Sequence, residues 1–372
     1  MPKNELVLVT GGAGFIGSHL VDSLIKEDYR VRVLDNLAPP THNGKLPEWF
    51  NKEAEFVLGD VRNKKDWLKA LRGVNYVFHL AAYMDYHLDF SNYFATNTQG
   101  TALLYEIAVE RKLPIKKIVI ASSQSVYGEG KYFCQRHGIF YPEIRSEEQL
   151  KKKQGEIFCP LDKKAAKILP EKEDDYLLPQ IPYGFSKLAS EKLALMLGKT
   201  YKIPTVILRY SIVQGSRQSF RHFYSGALRD FSVRALAGLP MIIQEDANQI
   251  RDFVNVHDVT EAHLAVLKNL KADFQVFNVG SGKPVKVMDL ARLVAKMAGV
   301  KFQPVIMGVF RVNAPRNSIM DITKLKKLGW QSRYSLKDSV QEYLIWIKNH
   351  PEAIKFWIKT YRTMERQNLI KK

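Results

Sequence analysis

The segment Thr10-Gly11-Gly12-Ala13-Gly14-Phe15-Ile16-Gly17 constrains this chain more than any other. It follows a short apolar run, Glu5 to Val9, and leads into a helical pattern that begins near Phe15. A side chain at the first two of the three spaced glycines, 11, 14 and 17, would block a tight turn or keep a ligand off the backbone. One at the third would hold the helix away from the strand. The exposed N–H groups and the helix dipole make such a turn a cradle for phosphate. A glycine triplet alone is a weak signal, and its context strengthens it. Asp35 closes the next apolar run, Arg30 to Leu34, 18 residues beyond Gly17. A carboxylate there accepts from both hydroxyls of a ribose and repels a 2′-phosphate. Gly11, Gly14, Phe15, Ile16, Gly17, Asp35 and the adjacent Asn36 therefore predict a dinucleotide site for NAD rather than NADP.

The chain repeats this strand–helix rhythm as far as Arg209. Apolar, β-branched runs at Ala54 to Leu58, Tyr76 to Leu80, Lys117 to Ala121 and Thr205 to Arg209 alternate with helical patterns starting near Lys65, Asn97 and Ser186. That alternation predicts an α/β fold, a doubly wound parallel sheet of Rossmann type. A further strand, Gln275 to Val279, and helices at Val287 to Ala298, Thr323 to Leu328 and Leu336 to Lys348 predict a smaller, interleaved C-terminal domain. Residues 1–210 with about 251–280 are expected to form the first domain, 211–250 with 281–350 the second, and 351–372 a basic helix or tail. The block of about 129–180 interrupts the rhythm. Its part from Glu143 to Asp175 is dense in Lys and Glu and is expected to be an exposed insertion with a small fold or a function of its own.

Composition excludes several classes. With 46% apolar and 25% charged residues over 372 positions, the chain is neither disordered nor a disulfide scaffold. No stretch approaches the ~20 apolar residues of a membrane span, and no secretory pattern precedes Gly11, so a cytoplasmic location is expected. Two cysteines are too few to staple a chain of this size. The net charge of +18 attracts polyanions, yet no basic run is interleaved with aromatics. It reads as a solvated surface, and no nucleic-acid partner is expected.

Tyr183-Gly184-Phe185-Ser186-Lys187 sets a phenol and an ammonium four residues apart on one helix face. A tyrosine with a pKa near 10 is a poor base at neutral pH, and a nearby cation lowers it. Ser123 follows the fifth strand, where the carboxyl ends of a doubly wound sheet place ligands, and can hydrogen-bond a reacting oxygen.

At this point the chain resembles the extended short-chain dehydrogenases/reductases, specifically the nucleotide-sugar epimerases and dehydratases. The resemblance rests on the glycine loop, Asp60-Val61, His79-Leu80-Ala81-Ala82, Asn97-Thr98-Gln99-Gly100-Thr101, Ser122-Ser123 with Val126-Tyr127-Gly128, Tyr183 with Lys187, Arg251-Asp252-Phe253-Val254, and Phe277 to Gly282. It implies that Ser123, Tyr183 and Lys187 are the catalytic triad. It adds Asp60, Val61, Leu80, Ala81, Ala82 and Asn97 to the NAD site. Ser123, Ser125, Arg251 and Arg311 would bind the substrate, the arginines gripping its diphosphate. Each arginine alone also suits a surface salt bridge. A nucleotide-sugar substrate, a homodimer formed through the Asn97 and Tyr183 helices, and a role in supplying sugars for surface polysaccharide or glycoconjugate synthesis are further implications.

Dehydratases of that family carry an Asp-Glu pair after the catalytic hydroxyl residue. Gln124 and Ser125 stand there and move no protons at neutral pH. Oxidation and return of hydride at one carbon remains, most often epimerisation at C4; a 4-ketoreductase uses the same residues. Leu208-Arg209-Tyr210-Ser211-Ile212 and Arg311-Val312-Asn313-Ala314 depart from the galactose-type epimerases. At Gln214-Gly215-Ser216-Arg217-Gln218-Ser219 and at Glu245-Asp246 before Arg251 the chain looks closer to the branch containing dTDP-L-rhamnose 4-epimerases, which bears a Cys-containing insertion. In that insertion Cys134-x-x-His137 and Cys159-x-x-Asp162 form two hooks spaced like a zinc ribbon, with reduced thiols as the alternative. Phe356, Trp357 and Ile358, flanked by lysines, are expected to pack on the chain itself or a partner rather than on a membrane. The reading of another class is a non-catalytic NAD-binding scaffold or RNA-associated protein.

Overall fold

The computed structural model describes residues 5–85, 88–222, 226–306, 308–311 and 314–366; Val312 and Asn313 lie outside them. Its centre is a seven-stranded sheet in which every neighbouring pair is parallel. In spatial order the strands are Val276–Val279, Thr205–Tyr210, Lys117–Ser123, Tyr76–His79, Leu6–Thr10, Arg30–Asp35 and Glu55–Leu58. Leu6–Thr10 and Thr205–Tyr210 are buried along their whole length, which explains why they read as continuous apolar runs rather than alternating ones. The chain order reverses between Leu6–Thr10 and Tyr76–His79, the switch point outside which a crevice opens at the strand ends.

Helices cover both faces. Leu20 and Leu24 of Phe15–Lys26 meet Val259 and Val266 of Val256–Lys268 on one side. On the other, Trp67, Leu104, Tyr105 and Ala194 pack onto Leu8, Ile118 and Ile207. A third core joins Phe231, Leu290, Val294, Tyr343 and Trp357, all drawn from the C-terminal segments apart from the sheet. Trp357 sits in it with its indole N–H donated to Asp230 at 2.7 Å and the Arg234 guanidinium 4.6 Å over its ring. No helix among the described residues is long and apolar enough to cross a membrane.

Two helices depart from their sequence signals. Pro182–Thr200 starts at a proline, whose fixed φ and missing N–H suit the first turn, so Tyr183 lies inside the helix. Asn97 does not open its helix. It lies in a π-helical turn, Phe94–Gln99, that precedes Gly100–Glu110.

The insertion has its own small sheet, Gly138–Phe140, Lys131–Cys134 and Lys167–Leu169, antiparallel, with a helix Glu147–Lys151 capped by Ser146. Much of it is exposed, but Arg145 and Glu171 are buried, because each meets partners of the main body rather than water.

Candidate functional site

The glycine loop is built as its spacing requires. Gly11 has φ +70°, and a Cβ there would stand 2.8 Å from the Ala81 nitrogen. A Cβ on Gly17 would meet the Gly11 carbonyl at 2.2 Å, so only hydrogen lets the helix start against the strand. Gly14 caps Phe15–Lys26 without any side-chain acceptor, leaving the first-turn N–H groups toward the crevice. Asp35 is buried at its strand end. One oxygen accepts from Ala13 N at 3.1 Å and the other from Leu37 N at 2.9 Å, so the carboxylate fixes the loop it serves. Phe15 and Ile16 form the helix start beside it. These features fit a dinucleotide: a side-chain-free cradle for the pyrophosphate, and a carboxylate with lone pairs left for ribose.

Across the switch point, Thr10 Oγ1 pairs with His79 Nδ1 at 2.8 Å and accepts from Ala81 N at 3.1 Å. This stitches Leu80, Ala81 and Ala82 to the floor of the crevice. Burial holds His79 down to about 3, so it stays neutral. Asn36 donates to Asp60 at 3.0 Å, and Arg62 pairs with the same carboxylate, which with burial opposing leaves Asp60 at about 2. Val61 is buried beside them and gives its carbonyl to Trp67. Asn97 accepts from Tyr83 N at 2.8 Å and donates to Tyr83 O at 3.0 Å and Ser186 Oγ at 2.9 Å. It thus ties the loop after Ala82 to the helix that carries Tyr183. π-Helical turns often mark functional sites.

Ser123 ends its strand, and its hydroxyl accepts from Ser125 N at 3.2 Å. Lys187 Nζ donates to Ala121 O at 2.8 Å and lies 5.9 Å from the centre of the Tyr183 ring. Gly184 lets the helix press on this turn, since a Cβ there would be 2.6 Å from Ser125 O. Burial raises the Tyr183 phenol to about 12, with a Ser123 hydrogen bond pulling the other way. It lowers Lys187 to about 8, opposed by Glu191. The phenol, ammonium and serine hydroxyl stand together at the carboxyl end of Lys117–Ser123, one strand from the glycine loop's switch point.

Gln124, at one of the two positions that would need a carboxyl for dehydration, accepts from Ser318 at 3.1 Å, and the other, Ser125, pairs with Ser123.

The two arginines expected to grip a diphosphate are engaged differently from one another. Arg251 donates to the carbonyls of Ile250, Pro315 and Arg316 at 2.7–2.9 Å, holding the 315–316 turn. Arg311 reaches Gln244 at 3.3 Å. The sequence reading missed their neighbours. Arg145, from the insertion, clasps Glu245 at 2.5 and 3.2 Å, and Arg316 clasps Asp246 at 2.6 and 2.7 Å. Glu129 lies buried among them with Oε2 unpartnered, and burial pushes it up to about 7. Also missed is a network behind the helix Pro182–Thr200. Glu191 forms a buried ion pair with Arg209 at 2.8 Å and accepts from Ser122. Arg209 donates to Tyr127, and Tyr127 to Asn278, each at 2.8 Å. The local signal was weak: a single Glu four residues after Lys187.

Cys134, His137, Cys159 and Asp162 do come together, their donor atoms all within 4.8 Å of one another.

Residues 7–149 and 157–280 match the model of the NAD dependent epimerase/dehydratase family. The chain is 32% identical over 350 residues to a dTDP-L-rhamnose 4-epimerase of Burkholderia thailandensis, covering 92% of this chain and 94% of that protein. It is similar to the crystal structure of a UDP-glucose 4-epimerase with UDP-glucose from Thermotoga maritima, with a TM-score of 0.76 and 30% identity, covering 92% and 99% of the two chains. A UDP-glucuronic acid 4-epimerase from Bacillus cereus, in complex with UDP-glucuronic acid and NAD, gives a TM-score of 0.75 at 27% identity, with 92% and 99% covered. The glycine cradle, the buried Asp35 and the family match agree: this chain belongs to the NAD dependent epimerase/dehydratase family.

Proposed function

We propose that this NAD-dependent nucleotide-sugar epimerase inverts C4 of its sugar through a transient 4-keto intermediate, supplying an activated sugar for surface polysaccharide or glycoconjugate synthesis. The observation that carries the reading is the Tyr183, Lys187 and Ser123 group at the strand end beside the glycine cradle. Bound NAD supplies the hydride acceptor and donor. Burial alone holds the Tyr183 phenol high, and the positive nicotinamide of bound NAD beside the Lys187 ammonium would lower it, so that Tyr183 takes the proton of the C4 hydroxyl and later returns one. Lys187, fixed to Ala121 O, stabilises the phenolate, and Ser123 steadies the reacting oxygen. Gln124 and Ser125 offer no acid–base pair for a dehydration, which favours epimerisation. Arg251 and Arg311 bind the diphosphate, a role suited to guanidinium.

The test is incubation of the protein with NAD and a panel of UDP-, dTDP-, GDP- and CDP-sugars, with products separated chromatographically. Interconversion of two C4 epimers without net cofactor consumption supports the reading. Net oxidation of added reduced cofactor points instead to a 4-ketoreductase. Unchanged turnover in Tyr183→Phe would overturn the assignment of the base.

A homodimer is part of the same reading. Phe90, Phe94, Phe185 and Met196 leave 43–55% of their surface exposed on the two neighbouring helical segments that the family resemblance gives to the dimer. Met196→Asp should then shift light-scattering mass from dimer to monomer. A zinc ion at Cys134, His137, Cys159 and Asp162 belongs to the reading of the insertion and supplies no step of the sugar chemistry.

A further inference from the structure

We propose that this zinc ion is a structural clip: it closes the two hooks of the insertion and so fixes the segment that carries Glu171 and Glu173 onto the main sheet. The inference deepens the zinc reading and is independent of the epimerase chemistry.

The donors already stand where a tetrahedral ion needs them. His137 Nδ1 is 3.5 Å from Cys134 Sγ and 3.4 Å from Cys159 Sγ. Asp162 Oδ2 is 3.7 Å from Cys134 Sγ and 3.8 Å from His137 Nδ1. Bonds of about 2.0–2.3 Å from a central zinc give tetrahedral edges of about 3.3–3.8 Å. Both cysteines are buried and neither forms a disulfide.

The hooks share one build. Each is a ligand, two residues, a second ligand, and then a residue in the left-handed region, Gly138 at φ +80° and Lys163 at φ +58°. In the second hook Lys163 N donates to Cys159 O at 3.0 Å. Lys164 N donates to Asp162 Oδ1 at 3.1 Å, which leaves Oδ2 as the ligand and fixes its direction.

The hooks join separate pieces of the insertion. The first closes the hairpin of Lys131–Cys134 and Gly138–Phe140, and the second turns the chain just before Lys167–Leu169, which pairs with Lys131–Phe133. Beyond that strand, Glu171 accepts from Ile319 N at 3.0 Å and gives its carbonyl to Asn278 at 2.9 Å. Glu173 accepts from Asn278 N at 2.9 Å and gives its carbonyl to Arg209 at 3.0 Å. A metal that closes the hooks removes freedom from the loop whose other end lands on Asn278 and Arg209.

The experiment is elemental analysis of the full chain, purified under reducing conditions without chelator, with intact mass and thermal melting. We expect about one zinc per chain, falling below a tenth of an equivalent in Cys134→Ser and Cys159→Ser. Asp162→Cys should retain the metal. Wild type stripped by chelator should melt about 5 °C or more lower and recover when zinc is returned, a readout that stands even if the serine variants do not fold. Cobalt in place of zinc should give the visible bands of tetrahedral thiolate coordination. Less than a tenth of an equivalent in wild type with equal melting of stripped and zinc-loaded protein, or a Cys134–Cys159 disulfide in the intact mass, overturns the proposal. Loss of zinc with epimerase turnover retained leaves the sugar chemistry intact, and the converse leaves the clip intact.

Discussion

Lys187 Nζ is tethered to the carbonyl oxygen of Ala121 at 2.8 Å, so the cation that faces the Tyr183 ring is held by the strand Lys117–Ser123 and not by its own helix. Lys187→Met should lower turnover by roughly 10²–10⁴ while leaving the fold intact by circular dichroism. Because burial lowers Lys187 to about 8, its charge is lost as pH rises through that value. kcat/KM should fall above about pH 8 in wild type, and the residual activity of Lys187→Arg should not.

Asp35 holds its own loop, its oxygens accepting from Ala13 N and Leu37 N, and in the proposed reading it binds the cofactor ribose as well. Asp35→Ala should weaken NAD binding by roughly 10–100-fold, the worth of one or two hydrogen bonds to a charged group. Calorimetric titration measures this. NADP, freed from the repulsion, should lose much less.

The Glu191–Arg209 pair is buried on both sides. Removing one charge strands the other, so Glu191→Gln should cost about 3–5 kcal/mol in urea denaturation. The double variant Glu191→Leu with Arg209→Met should lose less than Glu191→Gln, because no unpaired ion is left behind.

Glu129 has a raised folded pKa of about 7. A carboxyl raised in this way stabilises the fold fully below its unfolded value near 4.5, and that contribution is lost as pH rises through 7. Glu129→Gln keeps an acceptor for Arg316 N without titrating. Between pH 5 and pH 9 the stability of wild type relative to Glu129→Gln should fall by about 1–3 kcal/mol. A flat difference across that range would contradict the buried-carboxyl reading.

What could be read from the chain was local. The glycine loop, the strand-end Asp35 and the four-residue step from Tyr183 to Lys187 are contiguous patterns, and their geometry follows from strand and helix periods. Long-range pairing leaves no such trace. Arg209 and Tyr127 meet across 82 positions, and Arg316 and Asp246 across 70. The Lys- and Glu-rich composition of the insertion signalled solvent, yet Arg145 and Glu171 turn inward because carboxylate and backbone partners await them. Arg251 illustrates the same limit: its position was legible, but its grip on three carbonyls was not.

The wide turn at Phe94–Gln99 makes chain length itself a specificity of the fold. An α-helix advances about 100° per residue. Deleting one residue from that turn, so that the spiral ran on tightly into Gly100–Glu110, would swing the Asn97 amide a quarter-turn or more around the axis and away from Tyr83 and Ser186. Natural or engineered variants should therefore tolerate substitutions there far better than a single-codon loss.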